Sequence, residues 1–144
     1  AMVALIPGEL PACADAKRYL EAATAFERVA DRDAATRAWQ AAADAWPEQP
    51  LAHLALGNLA YRDQALARAA AHYRDGLAHN AGDPALANNL ASVLGALGCP
   101  RRAEALLRPV AQKLPDDSPW RGTIDATLKE LHEERDGVKH LLPG

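Results

Sequence analysis

A repeat of 34 residues constrains this chain more than any other feature of its sequence. When the sequence is shifted against itself by 34 positions, small residues align with small residues and large apolar residues with large ones. Within each unit the apolar positions recur at helical spacing, which predicts two amphipathic helices per unit. Three positions carry the alignment: a small residue (Ala23, Gly57, Ala91), an alanine (Ala35, Ala69, Ala103) and a large residue (Trp39, Tyr73, Leu107).

Prolines mark the predicted helix ends. A proline stops one helix or occupies the first turn of the next, and the pairs Asp83-Pro84 and Ser118-Pro119 are typical of an N-cap followed by proline at the first helical position. Because β-branched residues are scarce and alanine, leucine and arginine abound, the composition favours helix throughout. The prolines that lie between periodic segments are Pro47, Pro50, Pro84, Pro100 and Pro115.

The repeat predicts the organisation of the chain. We expect three units, at residues 16–49, 50–83 and 84–117, followed by a capping helix over 118–135 and a tail over 136–144. Because the sequence opens with alanine, residues 1–15 are expected to be a linker or the remnant of a preceding domain. One face of the capping helix is charged and the other carries an apolar stripe that covers the last unit, namely Trp120, Ile124, Leu128 and Leu131.

The small residue at position 8, the alanine at position 20 and the large residue at position 24 resemble the signature of the tetratricopeptide repeat (TPR). Pro47 and Pro115, at position 32, add to the resemblance. Two features depart from it: position 4, where TPRs carry a large residue, holds His53 and Ala87, and the usual glycine at position 15 is kept only as Gly98. The resemblance implies an all-α fold, an α-solenoid of three TPRs and a capping helix wound as a right-handed superhelix.

Charge and composition limit the class of partner. The net charge of −3 provides no basic surface for nucleic acid, and no apolar run approaches the roughly 18 residues of a membrane span, so we expect neither nucleic acid nor membrane insertion. Cys13 and Cys99 fit no zinc spacing. They lie more than one unit apart, and stacked helices are separated by about 8–10 Å, so we expect no disulfide between them. The alanine- and arginine-rich composition indicates a bacterial origin. The sequence leaves open whether the protein is cytoplasmic or lies in the periplasm or envelope.

The sequence contains no catalytic constellation. His72 and His79 lie seven residues apart, wider than the i, i+4 spacing of zinc motifs, and are expected at the surface. No serine lies in a nucleophile motif, and Cys99, in a turn beside Arg101 and Arg102, has no histidine nearby in sequence. The basic cluster around Arg101, offset by Glu104, is interpreted as a solvated helix face. We therefore expect no enzyme activity, metal or cofactor in this chain.

A binding groove is the remaining candidate. In the TPR architecture the first helix of each unit lines a concave face, so the resemblance implies that its polar residues contact a peptide or partner domain. Asparagine and serine can bond to a peptide backbone, tyrosine offers a flat apolar contact, and arginine pairs with carboxylates. The predicted partner-binding residues are Leu54, Asn58, Tyr61, Arg62, Asn88, Asn89 and Ser92.

Other interpretations of the groove stay open. TPR domains that bind acidic C-terminal tails of chaperones use a Lys/Asn clamp, and only Asn89 of this chain fits it, so that ligand class is rejected. The groove residues are equally compatible with a solvated spacer or with a homo-oligomer interface. The matching clamp positions are Leu20, Thr24, Ala55, Ala85 and Asn89.

The lead-in ALIPGELPA suggests a second function. It resembles the junction before the C-terminal TPR region of bacterial papain-like, bacteriocin-processing cysteine peptidases, which implies an accessory domain that recruits substrates or partners or drives oligomerisation. Gly57 is expected to serve packing in either case. Because it aligns with Ala23 and Ala91, we expect its helix to approach the facing helix closely at Ala69.

Overall fold

The computed structural model describes residues 15–137. This part of the chain consists of seven helices with no strand. Each helix packs on the next one along the chain, and α3 also contacts α5 while α5 contacts α7. Serial packing of this kind is the α-solenoid that the repeat predicts, so the all-α fold class is confirmed. The helices are α1 (Ala16–Glu27), α2 (Arg32–Ala45), α3 (Pro50–Arg62), α4 (Leu66–His79), α5 (Pro84–Ala96), α6 (Pro100–Lys113) and α7 (Arg121–Arg135).

The helix starts follow local chemistry. Pro50, Pro84 and Pro100 are the first residues of α3, α5 and α6, where the missing N–H of proline costs no helical hydrogen bond. Asp83 caps α5, because its carboxylate accepts from the backbone N–H of Leu86 at 3.0 Å. Two further aspartates, Asp15 and Asp31, cap α1 and α2 in the same way.

The predicted start of the capping helix is two residues too early. The Ser118 hydroxyl does accept a hydrogen bond, from the N–H of Trp120 at 3.1 Å. However, the N–H of Arg121 bonds to the carbonyl of Ser118, three residues back, at 3.1 Å. This tighter turn precedes the α-helical pattern, so α7 begins at Arg121 and not at Pro119. The subdivision of the chain into units stays a prediction.

The repeated positions form the core. Trp39, Tyr73 and Leu107 are buried, and each lies on the second helix of a pair. The apolar stripe of α7 behaves as predicted, since Ile124 and Leu131 are buried against the last pair while Trp120 and Leu128 are partly buried there. The alanines that align with one another, Ala35, Ala69 and Ala103, are also buried.

Gly57 makes room for the ring of Tyr73. A Cβ atom at Gly57 would lie 2.5 Å from Cδ1 and 2.6 Å from Cζ of Tyr73, and still closer to Cε1. Carbon atoms in contact normally lie about 3.5–4.0 Å apart, so the ring of Tyr73 occupies the space that a side chain at Gly57 would need. The closest approach to Gly57 is therefore made by the ring of Tyr73, and the expected approach to Ala69 stays a prediction.

Candidate functional site

Helices α3, α5 and α7 lie side by side in the stack. Contacts join α3 to α5 and α5 to α7, whereas no comparable contact joins α1 to α3, α2 to α4 or α4 to α6 within residues 15–137. In a curved stack the layer whose helices are closest lies on the inner side of the curve. This geometry brings side chains of α3 and α5 together across one surface.

The amide of Asn58 is the centre of that surface. Its Oδ1 accepts a hydrogen bond from the Tyr73 hydroxyl at 2.6 Å and another from Nδ2 of Asn89 at 3.2 Å. Burial raises the pKa of the Tyr73 hydroxyl, so the hydroxyl stays protonated and can donate. One hydrogen bond comes from α4 and the other from α5, and together they fix the orientation of the Asn58 amide.

This orientation leaves two polar groups available. In residues 15–137 no hydrogen bond engages Nδ2 of Asn58 or Oδ1 of Asn89. Both side chains are half-buried and not enclosed. The pair Asn58–Asn89 therefore presents one N–H donor and one carbonyl acceptor.

Three of the predicted residues are exposed around the amide pair. Tyr61 is 51% exposed and lies three residues after Asn58, on the same side of α3. Arg62 and Ser92 are exposed as well, and neither makes a hydrogen bond or ion pair within the described part of the chain. The neighbouring Asp63 does pair, with Arg32 of α2.

The other two predicted residues face inward. Leu54 is half-buried and packs against the larger core cluster. Asn88 is only 6% exposed, and its Oδ1 is buried without a hydrogen-bond partner in residues 15–137. The structure therefore brings Asn58, Asn89, Tyr61 and the exposed residues near them to one surface, with Asn88 beneath it.

A second polar cluster was missed at the sequence level. Glu104 was expected on a solvated face, but it is buried between α6 and α7. Its Oε2 accepts from Arg108 at 3.1 Å and from Arg135 at 3.2 Å. Arg108 follows Glu104 by four residues and signals a local pair, whereas nothing in the sequence pairs Glu104 with Arg135, 31 positions away.

The candidates for chemistry are dispersed. Within the described part of the chain, no three His, Cys, Asp or Glu side chains are placed to hold a metal ion, and no helix is both long and apolar enough to cross a membrane. His79 is exposed, but His72 is half-buried, contrary to the expected surface position. Cys99 is a free thiol. Cys13 lies outside the described residues, so the absence of a Cys13–Cys99 bond stays a prediction.

Comparisons with known proteins support the fold. No family model matches the chain, and no curated protein matches it in sequence. The chain is similar to the crystal structure of the Yersinia enterocolitica type III secretion translocator chaperone SycD (alternative dimer), with a TM-score of 0.70. The identity is 15%, over 84% of this chain and 94% of that chain. The likeness supports a TPR-like helical-repeat fold, and nothing in these comparisons supports the peptidase resemblance.

Proposed function

We propose that this chain is a non-catalytic module that binds a peptide or an extended segment of a partner protein on the surface formed by α3 and α5. The amide pair Asn58–Asn89 carries the proposal. Each residue of an extended peptide presents one carbonyl acceptor and one N–H donor. The free Nδ2 of Asn58 and the free Oδ1 of Asn89 are complementary to one such unit.

The residues beside the amide pair favour one kind of ligand. Tyr61 offers an exposed aromatic face, which binds an apolar side chain without prior rearrangement. Arg62 is an exposed guanidinium without an ion pair in residues 15–137, and it suits a carboxylate. We therefore propose that the ligand is an extended segment that carries an apolar residue next to an acidic one.

The structural likeness adds support of a general kind. The similar structure is that of a translocator chaperone, and a chaperone acts on other proteins. A TPR-like solenoid that binds protein segments is therefore compatible with both the fold and the polar surface.

The test is a binding assay with matched arginine variants. An array of extended peptides, varied at one apolar and one acidic position, is probed with the purified chain and with Arg62→Ala, Asn89→Ala and Arg74→Ala. Arg74 is also exposed, but it lies on α4. Losing a charge-assisted hydrogen bond costs about 1.5–3 kcal/mol, so Arg62→Ala is expected to weaken binding of acidic peptides about 10-fold or more.

The control separates the proposed surface from the rest of the solenoid. We expect Arg74→Ala to bind like the unmodified chain, and Asn89→Ala to weaken all bound peptides regardless of their acidic residue. If Arg62→Ala binds peptides as well as the unmodified chain does and Arg74→Ala binds them more weakly, the ligand lies on the side of α4 and the proposal is refuted. Failure of every peptide in the array to bind would also refute it.

A further inference from the structure

A cavity of about 320 Å³ lies between the beginnings of α1 and α3. Helix α3 contacts α5, but no comparable contact joins α1 to α3 within residues 15–137. The cavity therefore opens where the first helix stands apart from the third. Its volume is at the lower end of the range of ligand pockets, so it can hold one side chain and not a whole peptide.

The lining of the cavity is mainly apolar. Leu20 is buried and forms its floor, while Pro50 and the 41% exposed Leu51 contribute the side that belongs to α3. Thr24 also lines the cavity, but its hydroxyl donates to the carbonyl of Leu20 at 2.8 Å. Because that donor is already engaged within α1, the inner part of the cavity offers contact to an apolar group.

The charged residues of the cavity do not favour an ionic ligand group. Lys17 and Glu21 both line it, and their separation of four residues places them on the same side of α1. Their charges are opposite, so an anion or a cation in the cavity meets repulsion as well as attraction. Gln49 lies at the edge, and its side chain does not cap α3, so its amide can bond to a ligand backbone.

The cavity lies on the same face of α3 as the amide pair. Leu51 precedes Asn58 by seven residues, which is two helical turns, and Tyr61 follows one turn later. Within residues 15–137 four large apolar side chains are exposed. Two of the four, Leu51 and Tyr61, lie on α3 on either side of Asn58. This face of α3 therefore presents two apolar contacts with a hydrogen-bonding amide between them.

We propose that the cavity binds a second apolar side chain of the extended ligand segment, four residues away from the apolar residue that contacts Tyr61. Ten residues separate Leu51 from Tyr61, which is about 15 Å along α3. An extended segment advances about 3.3 Å per residue, so this distance corresponds to between four and five residues. Side chains of an extended segment alternate between its two faces, and four is the nearest even number.

This inference rests on the proposed function and specifies its ligand further. The apolar residue on Tyr61 is the one that stands next to the acidic residue bound by Arg62. The preferred segment therefore contains an apolar residue, three residues of any kind, a second apolar residue and an acidic residue, in this order or its reverse.

The test is a spacing series of labelled synthetic peptides. Each peptide carries a leucine, a run of one to five serines, a second leucine and a glutamate, and the series is made in both chain directions. Binding to the unmodified chain is measured by fluorescence anisotropy. We expect the peptides with three serines, in one of the two directions, to bind about 10-fold more tightly than those with two or four, because only they bury both leucines.

A double-mutant cycle assigns the leucine that enters the cavity. Leu51→Ala is expected to weaken the peptide with three serines several-fold. It is expected to have little effect once the leucine far from the glutamate is replaced by serine, because both changes remove the same contact. Leu97→Ala is the matched control: Leu97 is 45% exposed, but it lies at the end of α5, and we expect this variant to bind like the unmodified chain.

The outcomes separate this inference from the proposed function. Binding that depends on Arg62 but is the same for every number of serines would overturn the inference and leave the proposed function standing. Additive effects of Leu51→Ala and the leucine-to-serine change in the peptide would also overturn it. Binding that depends neither on Arg62 nor on the spacing would overturn both.

Discussion

Replacement of Gly57 by alanine tests whether the packing around the repeat is as tight as the structure indicates. In most helices this change is favourable, because alanine is preferred over glycine by about 1 kcal/mol. Here the added Cβ would lie 2.5–2.6 Å from ring atoms of Tyr73. Helix propensity therefore predicts that Gly57→Ala raises the free energy of unfolding, whereas packing predicts that it lowers it. The measured change in the free energy of unfolding decides between the two.

The structure gives the magnitude of the packing cost. The ring of Tyr73 is fully buried and its hydroxyl is held by Asn58 at 2.6 Å, so it must shift by roughly 1 Å to reach normal contact distance. Overpacking of this kind costs about 1–3 kcal/mol, and losing the hydrogen bond to Asn58 costs about 1 kcal/mol more. After subtraction of the gain of about 1 kcal/mol in propensity, Gly57→Ala is expected to lower the free energy of unfolding by about 1–3 kcal/mol.

Urea denaturation followed by circular dichroism measures this change, and Gly122→Ala is its matched control. Gly122 is also helical, but a Cβ there would meet nothing within 4 Å. We expect Gly122→Ala to stabilise the chain by up to about 1 kcal/mol. A second control, Gly57→Ala with Tyr73→Leu, recreates the Ala91 and Leu107 combination of the third unit, and the double variant is expected to cost less than the sum of the single changes.

One result would refute the reasoning about Gly57. If Gly57→Ala stabilises the chain as much as Gly122→Ala does, the ring of Tyr73 yields without cost. The glycine would then serve no packing role, and its place in the repeat would need another explanation.

Two further predictions concern a turn and a histidine. Gln64 has a φ of 60°, and Gly98, at the same position of the next unit, has a φ of 88°. Because glycine adopts a positive φ without steric cost, Gln64→Gly is expected to stabilise the chain by about 1 kcal/mol and Gly98→Gln to destabilise it by a similar amount. Urea denaturation measures both changes. Burial lowers the pKa of His72 below its ordinary value of 6.5, so the folded state favours the neutral ring. The contribution of His72 to folding stability is therefore present above pH 6.5 and is lost as the pH falls through the lowered pKa of the folded state. His72→Gln is expected to flatten this dependence relative to the unmodified chain, and identical acid-side curves for the two proteins would contradict it.

The fold was predictable because its signals are local and repeated. The spacing of apolar residues predicts each helix, and Pro50, Pro84 and Pro100, which each follow a turn, are the first residues of their helices. The same reasoning missed Pro109, which lies inside α6. Its neighbours continue the helical pattern on both sides, and the packing of α6 against α5 and α7 outweighs the lost hydrogen bond.

The site was predictable only in part. The residue types on α3 and α5 indicated a polar surface, but not which amides would be engaged. The burial of Asn88 and the contact of Glu104 with Arg135 depend on the distance between helices that are far apart in sequence. The sequence also contained no sign of the positive φ of Gln64. The turns after α3 and α5 have the same hydrogen-bond pattern, but only the turn after α5 has a glycine at the residue with positive φ.

The packing signature and the proposed binding surface are physically linked through one side chain. Gly57 admits the ring of Tyr73, and the hydroxyl of that ring orients the Asn58 amide toward its partner on α5. The other units cannot build this arrangement, because their large residues at the same position are tryptophan and leucine. At the position of Asn58 the first unit carries Thr24, whose hydroxyl bonds back to its own helix at 2.8 Å. In the second unit, therefore, the glycine that allows close packing also determines the geometry of the proposed site.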